Sequence, residues 1–518
     1  MLPNQLQYKG GNIMSSNNGG KLSLTALILM IFTSVYGFNN MPRSFYLMSY
    51  GSITFFVGAA ILFFIPFAFM MAEYGAAFKN ETGGIYSWME KSVNAKYAFV
   101  GTFMWYTSAV IWMVNVSSGI WVPLSNAISG IDKTSTWSLF GLSATKTLGV
   151  LGVLWIIFVT FISTKGIEKI KKITSVGGTA VAGLNVLLLV GAIAILIGNG
   201  GKLAQPIEGM ATFVTSPNPA YQTLISIMSF LVFAIFAFGG IEVVGGLVDQ
   251  TEEPEKNFPK GLALSAIVIA IGYAVGIFCT GVFTNWNDIL GANGKYGDII
   301  TMGNVSYLIM NNLGYQLGAA FGASQAVCVE IGNWIARFVG LSMLFALTGA
   351  FFTMTYAPLK QLIAGAPKGL FPDYIATTKD GMPLNAMTVQ AIVVIVIIIA
   401  VSFGGESMAK FFDILVAMTN VAMTIPYMFL SGAFISFKRK KEINKPFEIF
   451  KSNGVTILFT VVVTLIVGFA NIFSIIEPAM NGDIAKTVWS IAGPVVFSVF
   501  ALVLFSRYEK MQKSGKIK

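Results

Sequence analysis

Long apolar runs alternate with short polar segments from residue 22 almost to the end of the chain. Twelve runs stand out: 22–47, 52–78, 97–128, 147–163, 173–198, 222–248, 261–285, 327–357, 384–404, 411–437, 454–476 and 486–506. Each approaches or exceeds the roughly 20 residues that a helix needs to cross a bilayer, with 147–163 at the short limit. In hydrocarbon such runs must be helical, because every backbone N–H and C=O needs a partner within its own segment. The pattern predicts an all-α integral membrane protein with 12 transmembrane helices. Residues 1–21, polar and rich in Gly and Asn, read as a disordered cytoplasmic tail, and 507–518 as a second tail. The first apolar run is too long for a signal-peptide core and lacks a clear small-residue cleavage site. Between the runs, Gly84–Asn94 (GIYSWMEKSVN) reads as a short interfacial helix, and Val305–Asn312 as a re-entrant or surface helix.

Two of the runs are interrupted. The first hits Tyr36, Gly37, Phe38, Asn39 and Asn40, with Pro42 close behind. The sixth hits Gly239, Gly240, Ile241 and Glu242, with Gly245 and Gly246 following. Glycines and paired amides are poor helix interiors, although glycine also serves close packing between membrane helices. Position adds weight: paired interruptions at corresponding places in two halves mark inverted-repeat transporters. Five spans separate the two breaks, so a second five-helix unit must enter the membrane with the opposite topology. This divides the chain into 22–198 and 222–437, followed by peripheral helices in 438–506. An unwound stretch in mid-membrane frees backbone groups. Half-helix N-termini suit a carboxylate, and freed carbonyls suit an ammonium or a cation. A zwitterionic amino acid satisfies both.

Charge placement orients the chain. Of the 33 Lys and Arg, 25 fall on one set of tails, loops and run ends and 7 on the other, with Arg337 alone deep inside a run. The positive-inside rule puts both termini in the cytoplasm. The net charge of +10 is then an inner-leaflet anchor, densest at Lys438–Lys441 (KRKK), and needs no nucleic-acid partner. Composition closes off other classes. Only 11% of residues are charged and mean hydropathy is +0.73, against about 25% charged in soluble domains. There is no histidine, which removes His-dependent catalytic triads and His-ligated metals. The two cysteines, Cys279 and Cys328, form no CxxC pair. No Walker A motif is present, so the chain does not hydrolyse ATP itself. No enzyme activity, cofactor or metal is expected.

Several segments carry a family resemblance. They are Leu29–Phe38 (LMIFTSVYGF), Ser44–Met48 (SFYLM), Met70–Glu73 (MMAE), Gly83–Met89 (GGIYSWM), Phe236–Glu242 (FAFGGIE) and Gly245–Asp249 (GGLVD). Pro254–Gly261 (PEKNFPKG), Ala336–Arg337 and Gly349–Thr353 (GAFFT) extend it. Across nearly the whole chain, Lys21 to Arg507, the sequence resembles the amino acid–polyamine–organocation superfamily. Within it, the likeness is to the glutamate:GABA antiporter-like branch and its YjeM-type inner-membrane permeases. The resemblance implies a LeuT-like 5+5 inverted repeat plus two helices, and alternating access around a central amino-acid site. Many relatives carry a Gly-Ser-Gly-type stretch where this chain has Tyr36–Asn40, so the Asn39 and Asn40 amides are candidates to replace backbone donors. The expected substrate site comprises Tyr36, Gly37, Phe38, Asn39, Asn40, Phe238, Gly239, Gly240, Ile241 and Arg337.

Charges inside the membrane each need a reason, since one at the bilayer centre costs roughly 2.5–3.5 kcal/mol on insertion scales. Arg337, ten residues into the eighth run, falls about 15 Å deep, near the midplane. Two roles stay open for it: attracting a substrate carboxylate, or pairing with Glu242 or Glu330. Glu242 either carries a coupled proton or stays ionised as a cap or ion-pair partner. Glu73 and Asp249, at inner helix ends, are candidate gate residues that pair with lysines. Aromatic residues near the breaks (Tyr36, Phe236, Phe238) either cover substrate or pack. Trp105, Tyr106 and Trp112 receive no assigned direction. The reading is a secondary amino-acid transporter of the inner membrane, exchanger or proton-coupled, with glutamate/GABA exchange as one form. A membrane sensor that binds without transport is the alternative. Oligomeric state is not legible in the sequence.

Overall fold

A computed structural model describes residues 21–379 and 381–516. Residues 1–20 of the expected first tail lie outside the described residues, as do Ile517 and Lys518 of the second. Among the described residues, twelve helical spans are long and apolar enough to cross a membrane. In order they are Leu24–Met48, Gly51–Ala77, Ala95–Ser129, Ala144–Ser163, Ile167–Gly198 and Leu224–Gln250. Then follow Pro254–Phe283, Gln325–Gly365, Leu384–Phe403, Phe412–Arg439, Asn453–Met480 and Ile484–Lys513. They are called spans 1 to 12 below. The chain is a multi-pass membrane protein, and an even number of crossings puts residues 21 and 516 on the same face.

Span starts are set by polar caps. Ser23, Asn94, Ser452 and Asp483 each accept a backbone N–H at the head of spans 1, 3, 11 and 12. Thr223 and Ser226 cap span 6 reciprocally. Apolar side chains line the outer surface, as in Leu154, Ile157, Phe158 and Phe161 of span 4. A bilayer solvates such a stripe where water would not. Inside, small residues let backbones approach. A Cβ on Gly178 of span 5 would lie 2.1 Å from the Leu29 carbonyl oxygen of span 1, and Gly177 faces Gly349 of span 8. Span 1 is thereby clamped against spans 5 and 8 just before it unwinds.

The structure extends several predicted elements. Span 8 runs 41 residues, well past residue 357. Span 12 continues to Lys513, so residues 507–513 of the expected second tail are helical. The helix expected within Val305–Asn312 spans Val305–Ala320 and packs along span 8. The segment expected at the interface is a helix, Ile85–Ser92, but its Ile85, Tyr86, Trp88 and Met89 are fully buried. It belongs to the protein core because its aromatic side chains face spans 2 and 7 in place of lipid, with Trp88 stacked on Tyr74 and edge-on to Phe258. Span 10 also breaks, between Ala422 and Ile425, ahead of Pro426. The sequence pattern concealed this break, because Met423 and Thr424 do not interrupt the apolar run.

Candidate functional site

Both expected breaks are present. Span 1 is helical over Leu24–Val35 and again from Asn40, leaving Tyr36 to Asn39 unwound. Span 6 is α-helical over Leu224–Phe236, unwinds through Gly240, and resumes as a 3₁₀ helix over Ile241–Gln250. The two breaks cross at contact distance. Gly240 has φ of +111°, and a Cβ there would stand 2.3 Å from the Ser34 carbonyl oxygen. Only glycine meets both demands.

A tyrosine of span 7 ties the breaks together. The Tyr273 hydroxyl accepts from the Gly37 N–H at 3.0 Å and from the Asn40 amide at 3.1 Å. It also lies 3.1 Å from the carbonyls of Val35 and Ala237, one from each broken helix. Backbone groups that the sequence reserved for substrate are therefore partly satisfied by the protein itself.

Beside this crossing lies a cavity of about 540 Å³. Its inner end is formed by Ser34, Phe236, Gly239, Gly240 and Glu242, with Trp112 of span 3 and Ala350 and Met354 of span 8. Span 10 contributes Asn420, Thr424 and Tyr427 at its own break. The cavity runs on to Glu477 and Lys486, at the ends of spans 11 and 12 farthest from the terminal face.

Glu242 is fully buried at the inner end. The Trp105 indole N–H donates to its Oε1 at 3.1 Å, and the Gly240 N–H to its Oε2 at 3.1 Å. The Tyr427 hydroxyl accepts from the same Gly240 N–H at 3.0 Å. The carboxylate thus caps the resumed helix and pins it to span 3.

The other candidates distribute unevenly. Ile241 is buried behind the lining, which Glu242 and Val243 reach in its place. Tyr36 packs edge-on to Tyr273 and Phe32. Phe238 faces the scaffold, stacked on Phe64 with ring centroids 4.7 Å apart, and Phe236 takes the place at the cavity expected of it. Tyr36, Gly37, Phe38, Asn39 and Asn40 are not among the lining residues; Ser34, one turn earlier, represents span 1.

Arg337 is also elsewhere. Its guanidinium lies over the Trp334 ring at 4.9 Å, and its side chain faces Gly130 at the end of span 3. Among the described residues it forms no ion pair, so of its two open roles the pairing with Glu242 or Glu330 is not made. Arg337 points to the far end of span 3, while Ala350 and Met354 of the same helix face the cavity.

The terminal-side ends of the spans are tied shut. Lys360 of span 8, 3% exposed, bridges Asp249 at 2.8 Å and donates to the Gly246 carbonyl at 2.8 Å. Gln361 accepts from the Ile85 N–H and donates to the Val243 carbonyl. Leu22 pairs with Gln250 and Glu252 through backbone hydrogen bonds, joining the start of span 1 to the exit of span 6. Glu73, fully buried, takes Lys438 at 2.9 Å and the N–H groups of Ile449 and Phe450. This alters the expected role of Lys438–Lys441. Lys438 is spent on Glu73 and Glu448, and Lys440 donates to the Lys91 carbonyl, so only part of the cluster is free for lipid.

Sequence reasoning missed Tyr273, Tyr427, Gln361, Asn420 and Glu477. For Gln361, Asn420 and Glu477 the signal was present: polar side chains within membrane helices rarely face lipid.

Comparison with known proteins agrees with this architecture. The model of a family described as amino acid permease matches residues 22–505. The chain is 51% identical to the inner membrane transporter YjeM of Escherichia coli over 490 residues, covering 94% of this chain and 96% of that protein. The Salmonella typhimurium YjeM is 50% identical with the same coverage. More distantly, it is 22% identical to a glutamate/gamma-aminobutyrate antiporter of Lactococcus lactis, over 93% of this chain and 91% of the relative.

Proposed function

Because the chain belongs to the amino acid permease family, we propose that it is a secondary active amino-acid transporter of the cell membrane, working by alternating access around the cavity at its crossed helix breaks. The observation that carries this reading is asymmetric closure. The cavity reaches the ends of spans 11 and 12 on one face, while ion pairs and backbone bonds seal the face that bears the termini. With the termini cytoplasmic, as the lysine and arginine bias requires, this is an outward-directed state. Transport then needs the seals at Asp249–Lys360 and Glu73–Lys438 to open as the units 22–198 and 222–437 move against each other. Glu242 holds the break of span 6 and is the proposed coupling carboxyl if protons drive transport.

Exchange in proteoliposomes tests this. Vesicles are loaded with one amino acid at a time, labelled amino acids are offered outside, and a pH gradient is imposed or withheld. Saturable exchange supports the transporter, and dependence on the gradient supports proton coupling, for which Glu242 is the first carboxyl to test. Binding without flux would replace this reading with that of a sensor.

A further inference from the structure

The fixed charges in the cavity bear on its substrate. Among the described residues two carboxylates line it, Glu242 at the inner end and Glu477 at the outer end, against a single ammonium, Lys486. No arginine is among these lining residues, because Arg337 lies against Trp334 outside the cavity. At the inner end, the N–H of Gly240 is already taken by Glu242 and Tyr427, which removes the donor a substrate carboxylate would use there. At the outer end, Glu477 accepts a hydrogen bond from Ser229 of span 6. It forms no ion pair with Lys486 or any other cation among the described residues. Seven residues, about 10 Å of helix, separate Ser229 from Phe236 at the break. A half-buried carboxylate without a cation thus lines the cavity about 10 Å along the helix from Phe236, on the order of the length of one whole extended diamino acid.

We propose that Glu477 and Ser229 form a second, ammonium-binding subsite, and that the substrate is a long diamino acid whose side-chain amine reaches it. This rests on the transporter reading for its physiological meaning, but it concerns binding alone. A carboxylate–ammonium contact in a water-poor cavity is directional and charge-assisted. A second substrate carboxylate at the same place would meet Glu477 as a like charge.

Equilibrium binding to the purified full chain in detergent tests the subsite. The probes are labelled lysine, norleucine (the same chain length without the amine) and glutamate. Lysine is expected to bind about tenfold more tightly than norleucine, the size of one charged hydrogen bond, with glutamate weakest. In Glu477→Gln the lysine-to-norleucine ratio is expected to fall towards one, while Glu477→Asp retains part of it. Glutamate binding more tightly than lysine, or an unchanged ratio in Glu477→Gln, overturns the proposal. So does absence of binding by all three in monodisperse wild-type protein. Lysine preference without flux in vesicles would leave the subsite standing and sink the transporter reading, so the two failures are distinguishable.

Discussion

Tyr273 shows how much one hydroxyl can organise. It meets donors and acceptors from both broken helices and is fully buried. Replacing it with Phe keeps the ring contacts to Tyr36 and Phe238 but removes the acceptor shared by the Gly37 N–H and the Asn40 amide, leaving Gly37 only the Val35 carbonyl. Tyr273→Phe is expected to lose about 0.5–1.5 kcal/mol for each hydrogen bond removed, read by unfolding in mixed micelles. Arg337 makes the opposite case. Because it stands over Trp334 and away from the cavity, Arg337→Lys is expected to leave the relative uptake of different amino acids unchanged, as competition assays would show. A shift in preference would return it to the substrate path. Glycine and asparagine doublets announced the breaks in the sequence, because few residues suit an unwound membrane segment. Nothing local distinguishes Tyr273 among 17 tyrosines, since its importance comes from contacts far along the chain, with Ala237 36 positions away and Val35, Gly37 and Asn40 more than 230.

At the scale of elements, the crossing of spans 1 and 6 depends on Gly240. A methyl group there would combine a positive φ with a 2.3 Å approach to the Ser34 carbonyl. Gly240→Ala is therefore expected to abolish transport and lower thermal stability, and normal uptake would mean that the breaks do not hold this geometry. Gly239→Leu differs. Its backbone is unstrained, but the side chain would project towards Tyr427 and Phe236 into the cavity. It is expected to fold and to block uptake. Helix ends on the terminal face depend on buried charge. Glu73→Ala leaves the Ile449 and Phe450 N–H groups without this acceptor and Lys438 with Glu448 alone, at an expected cost of about 1–3 kcal/mol. Glu448→Ala, removing the more exposed partner of the same lysine, is expected to cost below about 1 kcal/mol. Hydropathy located all twelve spans because lipid imposes one rule on every outward residue. It missed the break in span 10 because Met423 and Thr424 leave the apolar run uninterrupted, and the Thr424 hydroxyl is met by the Val421 carbonyl and by Asn471 of span 11, contacts invisible to composition.

The whole molecule is asymmetric across its thickness, and that asymmetry can be probed with a thiol. The native cysteines, Cys279 and Cys328, are both buried and provide a quiet background. Ser474, on span 11, lines the cavity between its inner end and Glu477. Gly246, at the opposite seal, has its carbonyl held by Lys360 and no space beside Gln361. A membrane-impermeant maleimide added outside intact cells is expected to label Ser474→Cys readily. Gly246→Cys is expected to resist reagent from either side until the Lys360–Asp249 bridge is removed by Lys360→Met. Alternating access adds a sharper expectation. Saturating transported substrate on both sides should lower the labelling rate of Ser474→Cys, because every cycle spends time with the outer mouth shut. A substrate that binds without being carried would protect only by occupancy. The two are separable with Gly239→Leu in the same background, where the cycle is blocked and any remaining protection is occupancy alone. Equal protection in both proteins would mean that the outer mouth does not close, and the cavity would then be a receptor site with no second state behind it.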